Sequence, residues 1–100
     1  MTFLAFLLIP LCTVHGNSML PEIRPGAVIF CEYGQPFASV KAGDRCVYKE
    51  PGTGRRLIHV ALRQHGRGWT MGGINNFAVD AYEMDASNFI AIIGKVENPK

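Results

Sequence analysis

The chain has 100 residues, of which 48% are apolar and 18% charged, and its ten Lys and Arg against eight Asp and Glu give a formal net charge of +2. A chain of this length buries roughly 60–65% of its unfolded surface, which supports one small core and excludes a two-domain or repeat architecture. Its basic residues are scattered except for the pair Arg55-Arg56. The sequence therefore lacks the basic stripe that binds phosphates, and nucleic acid is not an expected partner.

The first part of the chain is its most apolar segment. Residues 1–14 hold 11 of the 48 apolar residues, and no Asp, Glu, Lys or Arg precedes Glu22. The apolar stretch is too short to cross a bilayer, which takes roughly 18–20 residues, and it lacks the basic start of a secretory leader. Because Pro10 divides it, we predict an anchor-like segment over residues 1–10 and a first strand over 11–14, where the folded domain of residues 11–100 begins.

The rest of the chain carries short runs of β-branched and aromatic residues, bounded by Gly, Pro, Asn or Asp that favour turns. These runs predict strands over residues 27–31, 45–48, 57–62, 68–71 and 89–93. Residues 81–87 are the one stretch with helical character, and they are few. The sequence therefore predicts a single mainly β domain whose small antiparallel sheet is coiled or barrel-like.

Three cysteines, Cys12, Cys31 and Cys46, are too few and too far apart for a disulfide framework. No CxxC or clustered Cys/His spacing indicates a metal site. Cys31 and Cys46 are the one pair considered for a bridge. The favoured interpretation is three free, half-buried cysteines that pack as small apolar residues.

Ser18 is the candidate nucleophile. It follows Gly16, which can take a positive φ, and precedes the apolar pair and rigid proline of residues 19–21, so a tight turn can hold its hydroxyl exposed. A serine hydroxyl needs a neighbouring base to take its proton. His59, in the apolar run of residues 57–62, is the residue type that supplies such a base at neutral pH.

Other polar groups complete the predicted site. An acidic partner would orient the imidazole, and Asp80 is the predicted residue, with Asp85 as the alternative. The backbone N–H of Ser18, with the N–H or side-chain amide of Asn17, is the predicted pair of oxyanion donors. The apolar group predicted to face a substrate consists of Met19, Leu20 and Pro21.

The motifs follow one another in a characteristic order. Ser18-Met-Leu-Pro21 is followed by Gly43-Asp-Arg-Cys-Val47, by the strand with His59, and by Gly73-Ile-Asn-Asn76 with Asp80 four residues on. Over about residues 13–96 this order resembles the signal peptidase I family and its relatives, the repressor-type self-cleaving serine proteases. Histidine in place of lysine at the base position is similar to the endoplasmic-reticulum and archaeal branch of the signal peptidases.

The chain also departs from the family pattern. Gly16 stands where signal peptidases commonly carry a hydroxyl that helps the oxyanion. Ala27 and Ile74 replace aspartates of two Gly-Asp motifs, and Val60 replaces an arginine after the base. The family pattern therefore does not identify the acid or the second oxyanion donor in this chain.

The resemblance implies a serine endopeptidase that forms an acyl-enzyme on Ser18, with His59 as general base, and that needs no metal or cofactor. It implies an extended polypeptide substrate that adds as a strand beside the one preceding Ser18 and has small residues at the first and third positions before the cut. It also implies a catalytic domain on the non-cytoplasmic side of a membrane, where the apolar N-terminus and Met19-Leu20 could touch lipid. The alternatives are a self-processing, regulatory protease of the repressor type, which would be cytoplasmic, and a non-catalytic binding module on the same scaffold.

Overall fold

The computed structural model describes residues 8–32, 34–75 and 79–100 of the chain. Six strands follow one another: β1 (Leu8–Thr13), β2 (Val28–Glu32), β3 (Arg45–Lys49), β4 (Arg56–His65), β5 (Gly68–Gly72) and β6 (Phe89–Glu97). One short 3₁₀ helix, Phe37–Ser39, lies between β2 and β3. The predicted helical character of residues 81–87 is wrong, because Met84 there bridges to Trp69 of β5 and the flanking residues form turns.

All strand pairs are antiparallel, and the order across the sheet is β1-β2-β6-β3-β4-β5. The prediction of a mainly β domain with an antiparallel sheet is confirmed. The sheet is open, with β1 and β5 at its edges. Register shifts interrupt the pairing of β1 with β2, β2 with β6, β3 with β6 and β4 with β5. Such bulges bend and twist strands, and they allow a sheet this small to curl around its core.

Both faces of the central strands are buried, because alternate residues of a strand point to opposite sides. On one face Cys46 and Tyr48 of β3 pack in a cluster with Trp69, Met71 and the other members Val40, Ala61, Met84 and Ile92. On the other face Val47 packs in a second cluster with Val14, Met19, Ile23, Ala27, Ile29 and Val60. The core therefore has two layers with the sheet between them.

The first strand begins earlier than predicted. β1 starts at Leu8 and passes through Pro10, with a register shift between Pro10 and Cys12. A proline is tolerated there because β1 is an edge strand and the bulge removes the need for its missing N–H. Residues 1–7, most of the predicted anchor-like segment, lie outside the described residues. No helix among the residues that the structure describes is long and apolar enough to span a membrane.

The three cysteines are free. Cys31 on β2 and Cys46 on β3 are separated by β6, which pairs with both strands. Two strands apart in a sheet is about 9–10 Å, beyond the reach of a disulfide. The considered bridge between these two cysteines is therefore absent, and Cys46 is fully buried in the core.

Candidate active site

The candidate nucleophile lies in the loop that joins β1 to β2. The loop is closed at its base by two backbone hydrogen bonds, from Val14 N–H to the Ala27 carbonyl (2.9 Å) and from Gly26 N–H to the Val14 carbonyl (2.8 Å). Gly16 has φ +89°, a left-handed conformation that glycine adopts without strain. The chain then turns at Ser18, which is partly exposed. The predicted tight turn before the serine is present.

Two polar contacts fix this loop on the rest of the domain. Asn75, after β5, donates its backbone N–H to the Ser18 carbonyl (2.8 Å) and its side-chain amide to the Asn17 carbonyl (3.1 Å). On the far side of the turn, the carboxylate of Glu22 accepts two hydrogen bonds from the Arg45 guanidinium, at 2.8 and 2.6 Å. Paired contacts of this kind restrain orientation as well as distance. The sequence placed Asn75 in a motif without revealing that it holds the serine.

His59 lies at the middle of β4 and contacts Ser18 directly. The distance between its Nε2 and the Ser18 Oγ is 2.8 Å, a normal hydrogen bond. His59 is paired with Cys46 of β3 and therefore lies on the same face of the sheet as Cys46 and Tyr48, and its side chain is 8% exposed. Two groups that are 41 residues apart in sequence are therefore in contact.

Asp80 completes the chain of contacts. Its Oδ2 lies 2.5 Å from His59 Nδ1, and its side chain is also 8% exposed. The backbone N–H of Asp80 donates to the Met71 carbonyl at 2.7 Å, which ties the loop of the aspartate to β5. Because the carboxylate can only accept at Nδ1, it places the imidazole proton on Nδ1 and leaves Nε2 free to accept from the serine hydroxyl.

Asp85, the alternative acid, lies elsewhere. Its carboxylate accepts hydrogen bonds from the Ser87 backbone N–H (2.8 Å) and hydroxyl (2.5 Å), and these bonds lower the pKa of Asp85. It caps an exposed turn before β6. Of the two candidates, the structure brings Asp80 alone to His59.

The predicted oxyanion donors sit on the nucleophile turn. The carbonyls of Asn17 and Ser18 accept hydrogen bonds from Leu20 and Asn75, whereas the two N–H groups donate to no acceptor among the described residues. Unpaired N–H groups beside a nucleophile are what an oxyanion hole requires. The catalytic role of Asn17 and Ser18 as donors stays a prediction.

A cleft of about 620 Å³ opens beside the three contacting residues. One wall is formed by residues 12–19, the end of β1 and the start of its loop, and the other by residues 55–59, the start of β4. Met19 lines the cleft from the core and is 2% exposed, whereas Leu20 and Pro21 are not among its lining residues. Residues 12–14 and 55–58 were not assigned to the site from the sequence. The curl of the sheet brings these two stretches together as walls of the cleft.

Two arginines, Arg55 and Arg56, line the cleft on the same wall as His59. Arg55 lies 3.3 Å from the Glu50 carboxylate, whereas Arg56 forms no ion pair within residues 8–32, 34–75 and 79–100. Burial raises the pKa of the Cys12 thiol across the cleft, and the Arg56 charge opposes that rise. The cleft therefore carries a positive charge near Cys12 and is apolar over most of its walls. Within those same three stretches no His, Cys, Asp and Glu cluster has the arrangement of a metal site.

A serine hydrogen-bonded to a histidine that is hydrogen-bonded to a buried carboxylate, beside a cleft on a bulged antiparallel β-sheet, is the arrangement found in serine peptidases. The comparison with family models agrees, since the model described as Peptidase S24-like matches residues 9–97. The chain belongs to that family. No curated protein and no solved structure matches the chain. The predicted likeness to repressor-type proteases is thus confirmed at the level of the family, and the closer likeness to signal peptidases stays a prediction.

Proposed function

We propose that the protein is a serine endopeptidase that cleaves a polypeptide through an acyl-enzyme on Ser18, with His59 as general base and Asp80 as the orienting acid. The observation that carries this proposal is the continuous line of contacts from Ser18 Oγ to His59 Nε2 and from His59 Nδ1 to Asp80 Oδ2, at 2.8 and 2.5 Å. Membership of the Peptidase S24-like family supports it.

The geometry supports a two-step reaction. In the first step the Ser18 Oγ attacks the scissile carbonyl carbon while His59 Nε2 takes the hydroxyl proton, and the same nitrogen then gives that proton to the departing amine. In the second step His59 takes a proton from water, which attacks the ester, and returns it to the Ser18 Oγ as the acid product leaves. The N–H groups of Asn17 and Ser18 would stabilise the negative oxygen in both steps.

The substrate proposed for this site is an extended polypeptide with small residues at the first and third positions before the cut. The cleft has two walls, residues 12–19 and 55–59, and both Ser18 and His59 line it, so a chain bound between the walls would meet the nucleophile. Among the described strands β1 lies at an edge of the sheet and pairs with β2 alone, so a peptide laid along its other side could add main-chain hydrogen bonds. The substrate would then lie beside the strand that leads to Ser18.

The site of action proposed for the domain is the non-cytoplasmic surface of a membrane. The support is the sequence of residues 1–14, which is apolar and carries no Asp, Glu, Lys or Arg. The expected lipid contact of Met19 is corrected, because its side chain is 2% exposed and packs with Ile23 and Val60 in the core. Leu20, which is half-buried, and the first strand are the apolar groups left for such a surface.

The test is incubation of the purified protein with a secretory precursor that carries an Ala-x-Ala site, beside Ser18→Ala and His59→Ala. Ser87→Ala and His65→Ala are matched controls, because both residues are exposed and lie outside the site. Cleavage by the wild type and both controls, with loss in the two site variants, is the expected result. Equal cleavage by all five proteins would contradict the triad. Cleavage of the protein's own chain alone would favour a regulatory protease, and no cleavage would favour a binding module.

A further inference from the structure

Tyr48 is a buried residue that the proposed reaction has not used. It lies on β3, its side chain is 0% exposed, and its hydroxyl donates to Asp80 Oδ2 at 2.5 Å. That oxygen is the same one that faces His59 Nδ1. The Tyr82 carbonyl, at 3.4 Å, is a more distant second acceptor for the hydroxyl. The Asp80 Oδ2 therefore contacts both the Tyr48 hydroxyl and the His59 ring nitrogen.

The register of the sheet explains why these groups converge. Cys46 of β3 is paired with His59 of β4, and Tyr48 follows two residues later on the same face of its strand. Tyr48 and His59 are thus diagonal neighbours, a spacing of about 7–8 Å that long side chains can bridge. The backbone bond from Asp80 to the Met71 carbonyl brings the carboxylate between them.

The hydroxyl of Tyr48 keeps its proton throughout the neutral range. Burial is the largest cause of its raised pKa, and the hydrogen bond and the charge of Asp80 raise the pKa further. A phenol has a single proton to donate, and the shorter contact directs it to the carboxylate rather than to the Tyr82 carbonyl. Tyr48 is therefore a fixed donor to Asp80 that titrates at no pH where the domain would work.

We propose that Tyr48 is a positioning residue of the active site, which fixes the rotamer of the Asp80 carboxylate and moderates the negative charge that faces His59. This inference rests on the proposed function. A hydrogen bond to the carboxylate stabilises its charge and reduces the proton affinity of the neighbouring imidazole. Tyr48 thereby acts on the direction of the His59 ring and on the charge that the ring faces, both through Asp80.

The positioning role of Tyr48 is detected in the pH profile of activity, which depends on the groups around His59. They are Ser18 from the nucleophile loop, Asp80 from the loop after β5, and Cys46 and Tyr48 from β3. Burial raises the pKa of Cys46 to about 12, so near neutral pH Cys46 and Tyr48 are both uncharged. Asp80 is the one group among them that contacts both the Tyr48 hydroxyl and the His59 ring. Removal of the Tyr48 hydroxyl therefore changes the pH profile through Asp80 alone.

The experiment compares wild type, Tyr48→Phe and Tyr82→Phe in the full chain, with Tm measured for each. The rate at which a fluorophosphonate labels Ser18 and the kcat and KM for an Ala-x-Ala peptide are followed from pH 5 to 9. In Tyr48→Phe, kcat and labelling are expected to fall about tenfold with KM unchanged. The acidic limb of both profiles is expected to move up by about half a pH unit. Tyr82→Phe is the control, because Tyr82 is 40% exposed and its hydroxyl makes no hydrogen bond to Asp80 or to any other described residue, while its carbonyl, which the substitution leaves in place, faces Tyr48.

Two outcomes separate the inference from the proposed function. If the wild type labels but Tyr48→Phe has the same rate and the same acidic limb, the positioning role is wrong while the peptidase proposal stands. If the wild type neither labels nor cleaves, the proposed function itself is wrong. If Tyr48→Phe folds poorly, a second measurement on the wild type tests the inference. In the wild type the Tyr48 hydroxyl proton is expected as a downfield NMR signal that Asp80→Ala removes, and its absence from the wild type would overturn the inference.

Discussion

Replacing Asp80 by asparagine removes the charge of the proposed acid with little change of shape. The imidazolium that forms when His59 takes the serine proton faces a carboxylate oxygen at 2.5 Å, and both side chains are 8% exposed. With charge centres about 4 Å apart and an effective dielectric constant of about 20, their attraction is about 4 kcal/mol. Because about 1.4 kcal/mol changes a rate tenfold, we expect Asp80→Asn to lower kcat about a thousandfold.

The assay is the initial rate of peptide cleavage, with the rate of fluorophosphonate labelling of Ser18 as a second readout. Asp85→Asn is the matched control, because its carboxylate is exposed and binds Ser87 rather than the site. The control is expected to stay within twofold of the wild type. A kcat for Asp80→Asn within fivefold of the wild type, with the fold intact, would refute the reasoning from charge.

Three further predictions follow from packing and charge. Burial raises the pKa of Cys46 to about 12, so at pH 8 in the native protein iodoacetamide should modify Cys31 and leave Cys46 unmodified. Equal modification of both cysteines, measured by peptide mass, would contradict the burial of Cys46 in the core. Gly68→Ala should lower Tm, because the added Cβ would lie 2.8 Å from the Met84 carbonyl oxygen. In a urea titration the free energy of unfolding is expected to fall by about 1–3 kcal/mol, and an unchanged midpoint would rule out this close packing. Peptides with Glu facing the cleft near Arg56 should be cut with a lower KM than peptides with Lys there, and Arg56→Glu should reverse that order of KM values; no effect of peptide charge would show that Arg56 does not contact the substrate.

The sequence predicts the strands well because its apolar runs are short and separated by glycine and proline turns. All six described strands overlap their predicted ranges, with ends that differ by at most four residues. The first strand was predicted too late, because Pro10 was treated as a division of the segment. An edge strand with a bulge accommodates a proline, and whether a strand lies at an edge depends on pairing that local sequence does not encode.

In the candidate site, too, local sequence predicts some residues, whereas others depend on how the strands pair. Ser18, His59 and Asp80 were predicted from residue chemistry and motif order, and the structure brings them into contact. Tyr48 was not assigned, because its partner depends on the register between β3 and β4 and on the path of the loop after β5. A tyrosine within a buried strand is itself a signal, since its hydroxyl must find a partner.

Met19 shows how position along a motif can mislead. It adjoins the nucleophile, and its apolar character suggested contact with lipid, which its burial contradicts; its predicted place beside a substrate stays a prediction, since Met19 lines the cleft. The chain turns at Ser18, and the Ile23 N–H donates to the Met19 carbonyl at 2.9 Å, so the methionine side chain points into the core. Sequence shows that a residue is apolar, but only the turn geometry shows which side of the loop it occupies.

Whether Ser18 is a nucleophile activated by His59 is tested most directly by identifying the residue that a fluorophosphonate modifies. The wild-type protein is treated with the probe at neutral pH, digested, and mapped by mass spectrometry. A single adduct is expected on the peptide that contains Ser18, absent from Ser18→Ala and strongly reduced in His59→Ala. An unmodified Ser18, or labelling of Ser18 at the same rate in the wild type and in His59→Ala, would contradict that activation.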